Sequence, residues 1–120
     1  MRAQEPAVAP LAIPALLAIT ATKLLLHLLA IGEYGYFRDE LYYLASTEHL
    51  AWGYVDHPPL SIAVLAVVRA VLGESLLATR IVPALAGVAT IALTGLLARR
   101  LGGGAFAQAL AALCALLAPQ

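Results

Sequence analysis

The chain has 120 residues, of which 62% are hydrophobic and only 12% charged. A soluble domain is nearer half apolar and a quarter charged, so this composition excludes an ordinary soluble globule and a disordered tail and points to an integral membrane protein. Seven basic residues balance seven acidic ones, and no basic run offers a footprint for nucleic acid. The single cysteine, Cys114, excludes a disulfide framework or a cysteine metal cluster and reads as a small buried hydrophobe.

In chain order, the first element is the apolar run 11–31. As a helix it covers roughly 31 Å, enough to cross a bilayer. Glu5 stands where the basic end of a signal peptide belongs, and the run is too long for the apolar core of one, so an uncleaved first span is expected. Pro14 falls in its first turn, where proline is tolerated. Lys23 and His27 lie one turn apart inside it. A charge at mid-bilayer costs roughly 2.5–3.5 kcal/mol on insertion scales, so both face a bundle interior, unless Lys23 snorkels to the headgroups.

Residues 33–57 differ in kind. They hold seven of the eight aromatic residues, five of the seven acidic ones and two of the three histidines. Tyrosine and tryptophan favour the membrane–water interface, ring in the headgroups and polar tip in water. Asp39 can cap a short helix here and Gly53 can end it. Leu41, Leu44, Ala45 and Trp52 then share a face, as in a helix lying on the membrane surface.

His57-Pro58-Pro59 stops this helix and starts the next. Residues 60–72 are apolar apart from Ser61 and Arg69 but would cover only roughly 20 Å, too short to span. A second juxtamembrane helix is expected, broken by Gly73-Glu74-Ser75. Residues 81–98, roughly 27 Å as a helix, form a second span. Arg99-Arg100 and a Gly102-Gly103-Gly104 turn follow, and 105–118 begins a third span. The expected architecture is all-α: spans over 11–31, 81–98 and 105–118, with residues 32–80 as one extracytoplasmic loop. With the N-terminus inside, Arg2, Arg99 and Arg100 lie inside in short segments. Arg38, Arg69 and Arg80 are spread along the outer loop, in keeping with the positive-inside rule.

The sharpest chemical feature is Phe37-Arg38-Asp39-Glu40-Leu41-Tyr42-Tyr43, just past the first span. Carboxylates in a first helical turn satisfy free N–H groups and complement the helix dipole. They can equally supply a general base that takes the proton of an acceptor hydroxyl as its oxygen attacks a sugar carbon. A lipid-linked donor suits this position, since its tail lies in the membrane and its headgroup at the surface. A phosphate leaving group needs positive charge or hydrogen-bond donors more than a strong acid; Arg38 and His57 are the local candidates. The second feature is Tyr54-Val55-Asp56-His57-Pro58-Pro59-Leu60. It is either a rigid turn between two surface helices or a turn that holds Asp56 and His57 beside Asp39. A divalent metal held by Asp39, His49, Asp56 and His57 stays open, although their spacing matches no standard ligand pattern.

Four segments in order, Phe37-Arg38-Asp39-Glu40, Asp56-His57-Pro58-Pro59-Leu60, Arg80-Ile81-Val82-Pro83-Ala84-Leu85 and Ala98-Arg99-Arg100-Leu101-Gly102, resemble the N-terminus of a family-39-type membrane glycosyltransferase. This group includes dolichyl-phosphate-mannose protein mannosyltransferases and the bacterial aminoarabinose transferases of lipid A, which share the GT-C fold. The resemblance covers residues from about 15 onward. It implies a GT-C-type helix bundle with one span, a first extracytoplasmic loop carrying two juxtamembrane helices, and further spans. It implies transfer of a sugar, with inversion, from a polyprenyl-phosphate donor to a hydroxyl or phosphate of a lipid, glycan or protein acceptor. Asp39 would be the catalytic base with Glu40 beside it, and His57, Pro58 and Pro59 would lie near the donor phosphate. Arg38, Tyr42 and Asp56 complete the expected substrate-binding set. Some bacterial members carry Glu-Lys where this chain has Asp56-His57. Family members run to several hundred residues, so the chain is expected to be an N-terminal portion of a multi-pass protein of the bacterial inner membrane, inactive alone. The alternative is a small non-catalytic membrane protein, or a remnant, whose Ala- and Gly-rich stretch 84–95 packs against other subunits.

Overall fold

The computed structural model describes residues 9–118; the expectations placed on Arg2 and Glu5 lie outside them. The described residues form five helices and no strand: α1 (Ile13–Ala30), α2 (Arg38–Thr47), α3 (Pro59–Leu72), α4 (Leu76–Arg100) and α5 (Ala105–Leu117). Two of them, α1 and α4, are long and apolar enough to cross a membrane. Only 11% and 17% of their apolar windows is buried, unlike the mostly covered core helix of a soluble domain. Leu17, Leu25, Leu26, Leu29, Leu93 and Leu97 are all exposed. At about 1.5 Å per residue, α3 and α5 each cover only about 20 Å.

The chain divides into two compact units, one taking the residues up to Leu26 and from Leu85 on, the other His27–Ala84. In the first, Leu16 of α1, Ile91 of α4 and Ala112 of α5 form a small core, flanked by Leu11, Ile19, Ala115 and Leu116. Gly95 admits this packing: a Cβ there would run into the Leu16 side chain. Gln108 is fully buried in this apolar setting because it is fully used. Its Oε1 accepts from the Ala12 N–H at 2.9 Å, and its Nε2 donates to the Pro10 and Gly103 carbonyls, each at 3.0 Å. Arg99 Nε donates to the Ala9 carbonyl at 2.7 Å. α4 ends in a Schellman turn: Gly102 adopts φ +89°, its N–H donates to the Arg99 carbonyl, and the Gly103 N–H donates to that of Ala98. Of the two polar residues one turn apart in α1, Lys23 is buried and His27 half-buried. Cys114 corrects its expectation: it lies exposed, because α5 buries the face that carries Gln108 and Ala112.

In the second unit α2 and α3 pack against each other. Pro58 caps α3 in extended conformation and Pro59 opens it, since proline's fixed φ suits a first turn. Gly73, at φ +77°, closes α3. Ser75 then caps α4, its Oγ accepting from the Ala78 N–H at 3.0 Å. The second long helix therefore begins at Leu76, five residues ahead of the apolar run read from sequence, and Arg80 lies within it. α2 also differs from expectation. Its N-cap is Phe37, with Asp39 and Glu40 both inside the first turn, and it ends at Thr47 rather than Gly53. Trp52 therefore leaves the face shared by Leu41, Leu44 and Ala45 and stands 99% exposed in the loop beyond.

Candidate functional site

The start of α2 is built around Glu40. Its Oε2 accepts from the Phe37 N–H at 2.9 Å, satisfying one of the backbone donors that every helix start leaves free. The same carboxylate receives Arg80 in two-pronged fashion, Nε to Oε1 at 2.7 Å and Nη2 to Oε2 at 2.8 Å. Arg80 does more than pair. Nη1 donates to the carbonyls of Ile31 at 2.7 Å and Tyr34 at 3.1 Å, and Nη2 donates to that of Gly35 at 2.8 Å. All five guanidinium N–H groups are thus engaged. The carbonyls lie at and just past the end of α1, where acceptors lack helical partners and cations are favoured. The one side chain ties the second turn of α4, the segment just past α1 and the start of α2 together. The Arg80 guanidinium holds the Glu40 carboxyl below its usual range; the Phe37 N–H adds to this, and partial burial opposes it.

The acidic pair is therefore split in role. Glu40 turns inward and is committed to Arg80. Asp39 turns outward, its side chain 72% exposed, and among the described residues it has only a 3.3 Å contact from Arg38 Nε. Arg38 is itself 95% exposed, and an ion pair of that kind is worth little in water. Asp39 is an open carboxylate on a firmly held helix.

Tyr42 and Tyr43 follow Asp39 by three and four residues and so share its side of α2. The His57 ring meets both edge-on, centroids 4.9 Å and 4.7 Å away, and stacks with the Tyr54 ring at 5.7 Å. The turn before α3 thus rests on the side of α2 that bears Asp39, one turn along. Inside this aromatic nest His57 Nε2 is buried with no hydrogen-bond partner among the described residues, which is uncommon for a buried polar atom. Asp56 and Pro58 are exposed and Pro59 is half-buried. No group of three or more His, Cys, Asp or Glu side chains gathers as a metal set among the described residues, so Asp39, His49, Asp56 and His57 do not assemble into one there.

Sequence reasoning missed two positioning residues. From sequence, Arg80 belongs to a motif and to the count of outer basic residues, with no partner assigned. Arg69 is an exception in an apolar run and a member of the same count, yet it holds the far end of α2. Its Nη1 donates to the Leu44 carbonyl at 3.1 Å and to Thr47 Oγ1, and its Nη2 pairs with Glu74 at 2.5 Å. The available signal was a lone arginine in an apolar stretch, which calls for a named partner. An open groove of about 280 Å³ lies there, lined by Thr47, Glu48, Ala66, Arg69, Ala70 and Glu74, at the end of α2 away from Asp39. No known protein family, curated protein or solved structure matches this chain.

Proposed function

We propose that the chain is the N-terminal part of a multi-pass membrane glycosyltransferase of GT-C type, using a polyprenyl-phosphate-linked sugar, with Asp39 as its general base. The observation that carries this reading is the split acidic pair. An exposed carboxylate stands in the first turn of a helix that follows directly on an apolar, span-length helix, and that turn is locked by Glu40 and Arg80. A base must be open to its acceptor and fixed in direction, and Asp39 meets both demands.

In the proposed reaction Asp39 takes the proton of the acceptor hydroxyl. The acceptor oxygen bonds to the anomeric carbon from one face, and the bond to the phosphate oxygen breaks on the other, so the configuration inverts. The phosphate leaves with the bonding electrons, Arg38 stabilises its charge, and His57, its ring packed among the tyrosines, holds the turn that faces the donor. Tyr42 and the turn from Asp56 through Pro59 shape the donor side. Glu40 acts through position: with its carboxylate bound to Arg80, it orients the turn that carries Asp39 instead of exchanging protons.

The same contacts support one arrangement in the membrane. Arg80 joins the end of α1 to the start of α4, as expected of two spans crossing in opposite directions with 31–75 connecting them on one side. Arg99 and Arg100 stand together directly at the end of α4, whereas Arg38, Arg69 and Arg80 are spread along the connecting segment, the density expected when the α4 C-terminus lies inside. We assign that inner side to the cytoplasm of a bacterial inner membrane.

The test is Asp39→Asn in the full-length protein that contains this chain. Sugar transfer is expected to fall by about 10²–10⁴-fold, the usual worth of a general base, with lipid-donor binding retained. Unchanged transfer would refute the assignment. The second reading, a small non-catalytic protein that packs with other membrane subunits, draws on the exposed apolar residues Phe106, Leu110, Leu113 and Leu117 of α5. Co-purification of this chain alone in a stable, stoichiometric complex would favour it.

A further inference from the structure

We propose that the loop tip 50–55 is a membrane anchor, with Leu50, Trp52 and Val55 seated in the headgroup–acyl boundary of the bilayer that α1 and α4 cross. The proposal rests on the membrane part of the reading above and not on its chemistry.

The six residues Leu50-Ala51-Trp52-Gly53-Tyr54-Val55 carry no charge. Leu50, Trp52 and Val55 are 62%, 99% and 95% exposed. This is not a slack loop. Tyr54 turns inward and ties it back: its hydroxyl accepts from the Ala51 N–H at 3.0 Å and donates to the His49 carbonyl at 3.0 Å, with the Ser46 carbonyl at 3.3 Å, while its ring stacks on His57. One aromatic residue is spent holding the loop, and the large apolar side chains around it are held outward.

The occupant follows from what adjoins the loop. α3 leads from it to Gly73 and, three residues later, into α4. Leu60, Val67 and Val71 of α3 are exposed, and at 3.6 residues per turn they fall within about 40° of one another, a single apolar stripe. The apolar surface thus runs from the mouth of a span-length helix along α3 to the loop, as on a helix lying in the interface plane. A tryptophan with an apolar body and one N–H is suited to the headgroup level. The charges that flank the tip, Glu48 and Asp56, are acidic and exposed, so the attraction is apolar and does not require anionic lipid.

Trp52 is the only tryptophan, so its fluorescence reports on the loop directly. The whole chain is reconstituted into phosphatidylcholine vesicles, and its flotation with them is checked. Acyl-chain-brominated phosphatidylcholine is then set against aqueous acrylamide as quencher. The expected result is blue-shifted emission, strong quenching by the brominated lipid and weak quenching by acrylamide. Replacing a fifth of the lipid with phosphatidylglycerol should leave this unchanged, and Leu50→Asp with Val55→Asp should reverse the preference. If the chain floats but Trp52 is quenched by acrylamide as fully as in urea, the anchor is refuted while the spanning helices stand. If Trp52 is shielded from both quenchers, a second copy or another protein covers the tip and the anchor is likewise refuted. If the chain does not float, the membrane reading and the anchor fall together.

Discussion

Replacing Arg80 by lysine keeps the charge and removes the fork. Arg80 makes five hydrogen bonds, two to Glu40 and three to the carbonyls of Ile31, Tyr34 and Gly35. A lysine has three donors on a single nitrogen and cannot serve both the carboxylate and the three carbonyls. At least two acceptors therefore lose their partner. Each such bond contributes about 1 kcal/mol net, and more where the donor is charged. The two side chains are 18% and 20% exposed, so water recovers part of the loss, and Arg80→Lys should cost about 2 kcal/mol. Arg80→Leu, which leaves Glu40 without its counter-charge as well, should cost about 4 kcal/mol. The assay is SDS-driven unfolding in mixed micelles followed by circular dichroism, with amide exchange at Phe37 and Leu41 to locate the damage at the start of α2. If Arg80→Lys stays within about 0.5 kcal/mol of the parent protein, charge alone would account for the site and the five-bond argument would be wrong.

Acidity supplies a second test. The Glu40 carboxyl titrates below its ordinary value of 4.5, so its pairing contributes fully above that pH and is lost as pH falls through the lowered folded value. The stability gap between the parent protein and Glu40→Gln should be constant near neutrality and close on acidification; a gap that persists at the most acidic pH would contradict this. In the other unit, Gln108→Leu strands the Ala12 N–H and the Pro10 and Gly103 carbonyls and should cost about 2–3 kcal/mol. Equal thermal stability of that variant would show that the buried amide is dispensable.

Much of the helical frame is legible from local signals. The apolar run 11–31 contains α1, the paired prolines open α3, Gly73 closes it, and the three glycines separate α4 from α5. What escaped reading depends on partners distant in sequence or on a single polar atom. α2 stops at Thr47 because the Tyr54 hydroxyl, several residues on, takes up the Ser46 and His49 carbonyls. A helix continued to Gly53 would use those acceptors itself. α4 starts early because Ser75 caps it, and because Arg80, which looks like a break in a hydropathy count, is satisfied in full by groups from two other elements. The two carboxylates of the site are adjacent in sequence and chemically alike. The local signal is weak: a glutamate at the third helical position can reach back to the N-cap N–H, as Glu40 does to Phe37, but the partner from α4 that commits it inward lies 40 residues away. Cys114 was assigned to the interior by residue type, whereas the position of Gln108 decides which face of α5 is covered.

The Arg80 clamp also imposes an order on biosynthesis. Glu40 precedes Arg80 by 40 residues, and the carbonyls at the end of α1 precede it by up to 49. As the chain is made, α2 and its acidic turn emerge first, with the carbonyls past α1 still hydrated and Glu40 without its cation. The turn acquires its final direction only when the opening turns of α4 arrive. A chain halted before Arg80 would carry Asp39 and Glu40, yet lack the cation that holds the acidic turn against the segment past α1. The orientation of the acidic turn is therefore completed well after its own synthesis, by a residue that takes no part in the chemistry proposed for it.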